Sequence, residues 1–141
     1  MSILDEFYPG SKQRRQEPVV VDEAPPQPWD ANPIVRTIRG KEMSFYGIGA
    51  LAQALGRSIV GVRLWERQGL IPKAPYRMPD HKGGKGKRLY TRAVIEATVA
   101  EFARMGLMEP GARVRWEGEH QDLTARLVER WTEVVENEKH S

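Results

Sequence analysis

The stretch 48–90, IGALAQALGRSIVGVRLWERQGLIPKAPYRMPDHKGGKGKRLY, decides how the chain folds. Ile48, Leu51, Ala52 and Leu55 recur at i, i+3, i+4 and i+7, one face of a helix. Gly56 suits the left-handed residue that ends it, and Ser58 is a good N-cap for a successor. The second helix is expected over 58–68, with Ile59, Val62 and Trp65 inward and Val60, Gly61, Arg63, Leu64 and Arg67 on the other faces. Gly69 caps it and Pro72 forbids its continuation. The segment APYRMPDHKGGKGKR (74–88) is too long for a tight hairpin, and Leu89-Tyr90 closes it with apolar and aromatic bulk. Two helices across a short turn, then a basic glycine-rich loop, form a helix-turn-helix followed by a wing.

Beyond Tyr90, Thr91 is the N-cap of a third helix over 92–105, with Ile95, Val99 and Phe102 on its apolar face. Residues 108–118 read as irregular. A last helix over 122–138 carries Leu123, Leu127, Val128, Trp131, Val134 and Val135 as its stripe. A stripe of that width suits burial against the chain's own core or against a second copy. Leu127, Trp131 and Val135 are the oligomerisation candidates. Upstream, IVRTIR (34–39) and EMSFY (42–46) form a plausible hairpin turned at Gly40-Lys41.

Residues 1–33 hold six of the ten prolines, a density that disfavours helix and sheet ladders. Leu4, Phe7, Tyr8 and Trp29 are apolar anchors in this otherwise polar arm, and Phe7-Tyr8 or Trp29 is suited to docking on another subunit. The expected fold class is therefore mainly α: a winged helix-turn-helix with a small N-terminal β-hairpin, a C-terminal amphipathic helix and a disordered N-terminal arm. The expected organisation is an arm over 1–33, a head with its hairpin over 34–107, and a linker and packing or oligomerisation helix over 108–141.

With 22 Lys and Arg against 19 Asp and Glu the net charge is only +3, but its distribution is uneven. Residues 57–104 carry 11 basic and 4 acidic side chains, a net +7. The segments on either side, 1–56 and 105–141, are net −1 and −3. Basic charge gathered on one segment is the footprint of a polyanion binder. With no cysteine there are no disulfides or thiolate metal sites, which suits a reducing compartment. His81, His120 and His140 are scattered, and the single pair at one helical turn, Glu136 and His140, lacks a third ligand. No metal site or cofactor is expected. No apolar run is long enough to span a membrane and no signal peptide is seen, so a cytoplasmic protein is expected. A His-carboxylate-nucleophile set is absent, and an enzyme is not expected. The GGKGKR stretch (83–88) has neither the spacing nor the strand-to-helix setting of a nucleotide-binding loop.

The order IGALA (48–52), Gly56, VRLWERQGLIP (62–72) and RLYT (88–91) resembles the DNA-binding head of MerR-type regulators, over residues 46–107. A similar head is found in phage excisionases and lambda-type small terminase subunits. The layout also resembles small helix-turn-helix proteins of actinobacterial phages. MerR-type heads usually carry a polar or basic residue where this chain has Val60, a Thr at Gly61, and an aromatic phosphate contact at Leu64. Such regulators also continue into a long dimerisation helix and often an effector domain with ligand or metal groups; here 36 residues without Cys follow the third helix, and metal or drug sensing is not expected.

Together these features imply a double-stranded DNA-binding protein, a phage or prophage regulator or architectural factor acting as a homo-oligomer in the host cytoplasm. Arg57 and Arg63 are the candidates for base reading or positioning, because a guanidinium clamps guanine or phosphate with two donors, and Arg67 is the candidate for contacting phosphate or pairing with a nearby carboxylate. Lys82, Lys85, Lys87 and Arg88 are the wing's candidates for phosphate, among glycines that let the backbone follow a groove. Gly61, which costs about 1 kcal/mol relative to Ala in mid-helix, points to a close approach of phosphate or another helix. The alternatives are a DNA-packaging subunit that partners a large terminase or other phage protein, and an interaction protein that keeps the head as scaffold. Exposure of Val60, Gly61 and Leu64 would favour the scaffold.

Overall fold

A computed structural model describes residues 28–79 and 86–140. The elements run β1 (Ile34–Ile38), β2 (Lys41–Tyr46), α1 (Ile48–Leu55), α2 (Ile59–Arg67), β3 (Tyr76–Met78), β4 (Lys87–Thr91), α3 (Arg92–Arg104) and α4 (Leu123–His140).

The mainly α expectation is overturned. The described residues are 45% helix and 18% strand, and the strands form one curled four-stranded antiparallel sheet in the order β1-β2-β4-β3. The hairpin is not a separate appendage, and the fold is mixed α/β. The cause lies in four residues. Phe45 pairs with Thr91 and Tyr46 with Tyr90, so the last residues of β2 stitch the hairpin to β4. Both strands run directly into helices, β2 through Gly47 into α1 and β4 through the N-cap Thr91 into α3. Side by side they bury Phe45, Tyr46, Leu89, Tyr90 and Thr91. At the far edge Tyr76 pairs with Leu89 and its ring packs on Phe45, with centroids 5.1 Å apart. The sheet curls far enough for Arg36 on β1 to donate to Met78 Sδ on β3 at 3.1 Å.

Within the hairpin Ile38 pairs with Lys41, so the turn residues are Arg39 and Gly40 rather than Gly40 and Lys41. Both have positive φ, 55° and 77°, as a two-residue turn matched to strand twist requires.

The helices start and stop where local chemistry dictates. Gly56 ends α1 at φ 69° and ψ 31°. Ser58 caps α2 by accepting from the Gly61 N–H, and Thr91 caps α3 by accepting from the Val94 N–H. Leu51, Ala52 and Leu55 of α1 meet Val62 of α2, Val94, Ile95 and Phe102 of α3, and Leu123, Leu127 and Trp131 of α4 in one core. On α2, Ile59 is 42% exposed, and Glu66 occupies the inward position instead. Val62 and Glu66 are one helical turn apart, which is the spacing of an inward face.

Much of the apolar stripe of α4 packs against its own chain. Leu127 and Trp131 are buried, and Val135 packs against the core. The Trp131 indole donates to Thr98 Oγ1 at 2.8 Å, and that hydroxyl donates to the Val94 carbonyl. Glu101 on α3 accepts from Arg126 of α4 at 2.7 Å and from Arg104 at 3.2 Å. Those hydrogen bonds, Arg126 first, hold its carboxyl below the ordinary carboxylate range although burial opposes them. No helix among the described residues is long and apolar enough to cross a membrane.

Candidate nucleic-acid interface

The start of α1, the first turns of α2 and the beginning of β4 enclose an open groove of about 840 Å³. Its floor is small and apolar, with Gly47, Gly49 and Ala50 from the start of α1 and Ile59 from α2. Arg63, Lys87 and Arg88 supply its cations, and among the described residues no Asp or Glu lines it.

Two of these features ought to repel each other. The N-cap of α1 is Gly47, which has no side chain to satisfy first-turn amides, and no acidic residue stands in that turn. A helix N-terminus carries a partial positive charge and favours anions. Yet the Lys87 side chain reaches over it: a Cβ placed on Gly47 would lie 3.3 Å from Lys87 Cε and 3.9 Å from its Nζ. Arg63 projects into the same groove from α2, and neither Arg63 nor Lys87 has a side-chain partner among the described residues. Three positive elements face one opening with no counter-charge among the described residues, which is an arrangement suited to an anion such as a phosphate.

The other candidates separate into distinct jobs. Arg57 is half-buried and directed inward. Its guanidinium donates to the carbonyls of Leu107 and Ala112, both at 2.9 Å, and lies 5.8 Å from the centroid of the Trp65 ring. It braces the chain that follows α3 against α2. Arg88 lines the groove but its Nε donates to Glu66 Oε1 at 2.6 Å, while the other carboxylate oxygen accepts from the Ala74 N–H. Glu66 is only 5% exposed, so this pair ties β4 and the post-α2 loop to the back of α2. Arg67 is exposed, in the last turn of α2. Lys82 and Lys85 lie outside the described residues, as do His81 and the arm over 1–27.

Trp29 docks on its own chain. Its ring meets Tyr46 edge-on at 5.2 Å, Arg92 lies over it at 5.2 Å, and Arg92 also bonds Asp30. Trp65, expected inward, is half-buried between Phe102 and Trp116. Gly61 has neither a helix nor another backbone against it: an added Cβ would meet only Ser58 Oγ, at 3.0 Å. Its smallness spares the N-cap hydroxyl. Tyr90 is fully buried, and its hydroxyl has no hydrogen-bond partner among the described residues. Burial first, then the Glu66 charge, pushes that phenol well above its usual range.

Sequence reasoning missed two contributors. One is the N-terminus of α1, whose signal is the glycine at 47 immediately before the apolar helical period. The other is Arg77, exposed on β3 directly across from Arg88, with a bond to the Gly86 carbonyl at 3.2 Å. Like charges placed opposite each other cost stability, and the Glu66 carboxylate behind Arg88 offsets that cost. Among the described residues no group of three or more His, Asp or Glu side chains is placed to hold a metal. No family model, no curated protein and no solved structure matches the chain.

Proposed function

We propose that this protein binds double-stranded DNA, with the backbone phosphates seated at the groove between α1, α2 and β4. The observation that carries this is the convergence of Lys87, Arg63 and the uncapped N-terminus of α1 on one opening that no carboxylate of the described residues lines. The net +7 over residues 57–104 supports it, as does the resemblance of 46–107 to the DNA-binding head of MerR-type regulators. In this arrangement Arg63 and Arg67 contact guanine edges or phosphates, and Lys82 and Lys85, outside the described residues, are further candidates for phosphate. Regulation or organisation of phage DNA is the first reading, and packaging is the alternative. Light scattering separates these, because a fixed ring of many copies marks a packaging subunit and a dimer marks a regulator.

Anisotropy titration of a random duplex across a range of salt concentrations tests the proposal. Each phosphate that a cation neutralises adds about 0.9 to the steepness of log K against log salt. Arg63→Ala with Lys87→Ala is therefore expected to weaken binding strongly and to make that dependence shallower by up to about 1.8. Absence of binding to any duplex at low salt overturns it.

Val60 and Leu64 favour a second function. They are 75% and 41% exposed, and an apolar pair on an outward helix face also suits a protein partner. Binding of duplex that is unaffected by the Arg63 and Lys87 changes would shift weight to that function.

A further inference from the structure

The outward face of α2 combines two features seldom found together. Val60 and Leu64 stand one turn apart and open to solvent, and Arg63 and Arg67 stand one turn apart beside them. The helix has a single carboxylate, Glu66, which is turned inward and tied to Arg88 and the Ala74 N–H. The outer face is therefore bare methyl groups flanked by guanidiniums, with no negative charge. Folding has no use for Val60 there. A β-branched residue is a weaker helix former than alanine, and three quarters of this one lies outside any packing.

The flanking charges call for a polyanion, and the apolar pair calls for a polyanion that displays methyl groups. Duplex DNA does so in its major groove, where each thymine presents a C5-methyl at the edge of the base. An RNA helix does not, because its major groove is too narrow for side chains to read. Single strands are held by stacking on aromatic rings, and none of the exposed side chains on α2 is aromatic. One helical turn, about 5–6 Å between Val60 and Leu64, is comparable to two base steps of about 3.4 Å.

We propose that Val60 and Leu64 read thymine methyl groups, with Arg63 and Arg67 contacting neighbouring guanines or phosphates. This rests on the DNA-binding function proposed above. The departures of this chain from the MerR-type pattern at positions 60 and 64 then become the source of its base preference.

The experiment replaces thymidine with deoxyuridine, which removes the methyl and leaves every hydrogen-bonding edge intact. A random duplex pool is selected on the full chain, and the enriched duplex is resynthesised with deoxyuridine throughout. The wild-type chain is expected to bind the deoxyuridine duplex about fourfold more weakly for each methyl contacted, the equivalent of ~0.8 kcal/mol. The double variant Val60→Ala, Leu64→Ala is expected to bind both duplexes alike, with an unchanged circular dichroism spectrum. Equal wild-type affinity for the two duplexes, with salt dependence retained, overturns methyl reading and leaves DNA binding standing. No binding to any duplex at low salt removes the DNA-binding function itself. A fall in molar mass by light scattering in the double variant shows that a second copy covers this face, which also overturns the proposal. The wild-type comparison decides alone if the double variant does not fold.

Discussion

Arg57 and Arg63 are six residues apart and carry the same group, yet they have different work. Arg57 follows the left-handed Gly56, outside either helix, and its guanidinium bridges two carbonyls of the chain that trails α3. Arg63 stands within α2 and faces the groove. Arg57→Ala is expected to lower stability by about 3 kcal/mol, because two hydrogen bonds to a charged group are lost, each worth ~1.5–3 kcal/mol net of exchange with water. Thermal melting reads the loss. Duplex affinity, measured well below the melting temperature, is expected to stay within twofold of wild type. A variant that melts like wild type but loses DNA affinity would return Arg57 to the interface. Arg57→Lys does not restore stability, since one ammonium does not span two carbonyls as a planar fork does.

At the scale of an element, the β3–β4 pair depends on one glycine. Gly86 has φ 87°, and a Cβ there would lie 2.2 Å from the Met78 carbonyl oxygen, so β3 would have to move. Gly86→Ala is expected to cost more than ~1–2 kcal/mol, the penalty of left-handed backbone alone for an L-residue. Hydrogen exchange should locate the loss in the amides of β3 and β4, with those of α3 protected. Since Lys87 is the next residue, the same change is expected to weaken DNA binding by displacing its ammonium from α1. Melting and exchange profiles like those of wild type would show that β3 accommodates the added carbon.

For the molecule as a whole, α3 and α4 are held together by a buried indole–hydroxyl bond and by Glu101 under several arginines. The carboxyl of Glu101 titrates below its ordinary value of 4.5 because Arg126 hydrogen-bonds its charged form. A group depressed in the folded state contributes stability that is complete above its unfolded pKa and is lost as pH falls through its folded pKa. The melting temperature is therefore expected to fall on acidification below about pH 4.5, and Glu101→Gln is expected to flatten that fall while lowering stability at neutral pH. Unchanged acid dependence in Glu101→Gln would place the sensitivity in other carboxylates.

The sequence by itself determined the helices and their ends. Apolar period, Gly56, Ser58, Thr91 and Gly69 are local signals, each acting within a few residues of itself, and the observed helix ends lie within about two residues of those expected. Hairpin existence was legible for the same reason, while its turn shifted by one residue because Arg39 accepted a backbone conformation uncommon for its type. Only the tertiary structure decided that β2 and β4 join one sheet, since Phe45 and Thr91 are far apart in the chain and no local pattern encodes their pairing. The tertiary structure also sorted the cations. A basic residue reads the same in sequence whether it meets a carbonyl, a buried carboxylate or solvent, and only long-range neighbours turned Arg57 and Arg88 inward. Those neighbours left Arg63 and Lys87 facing the N-terminus of α1.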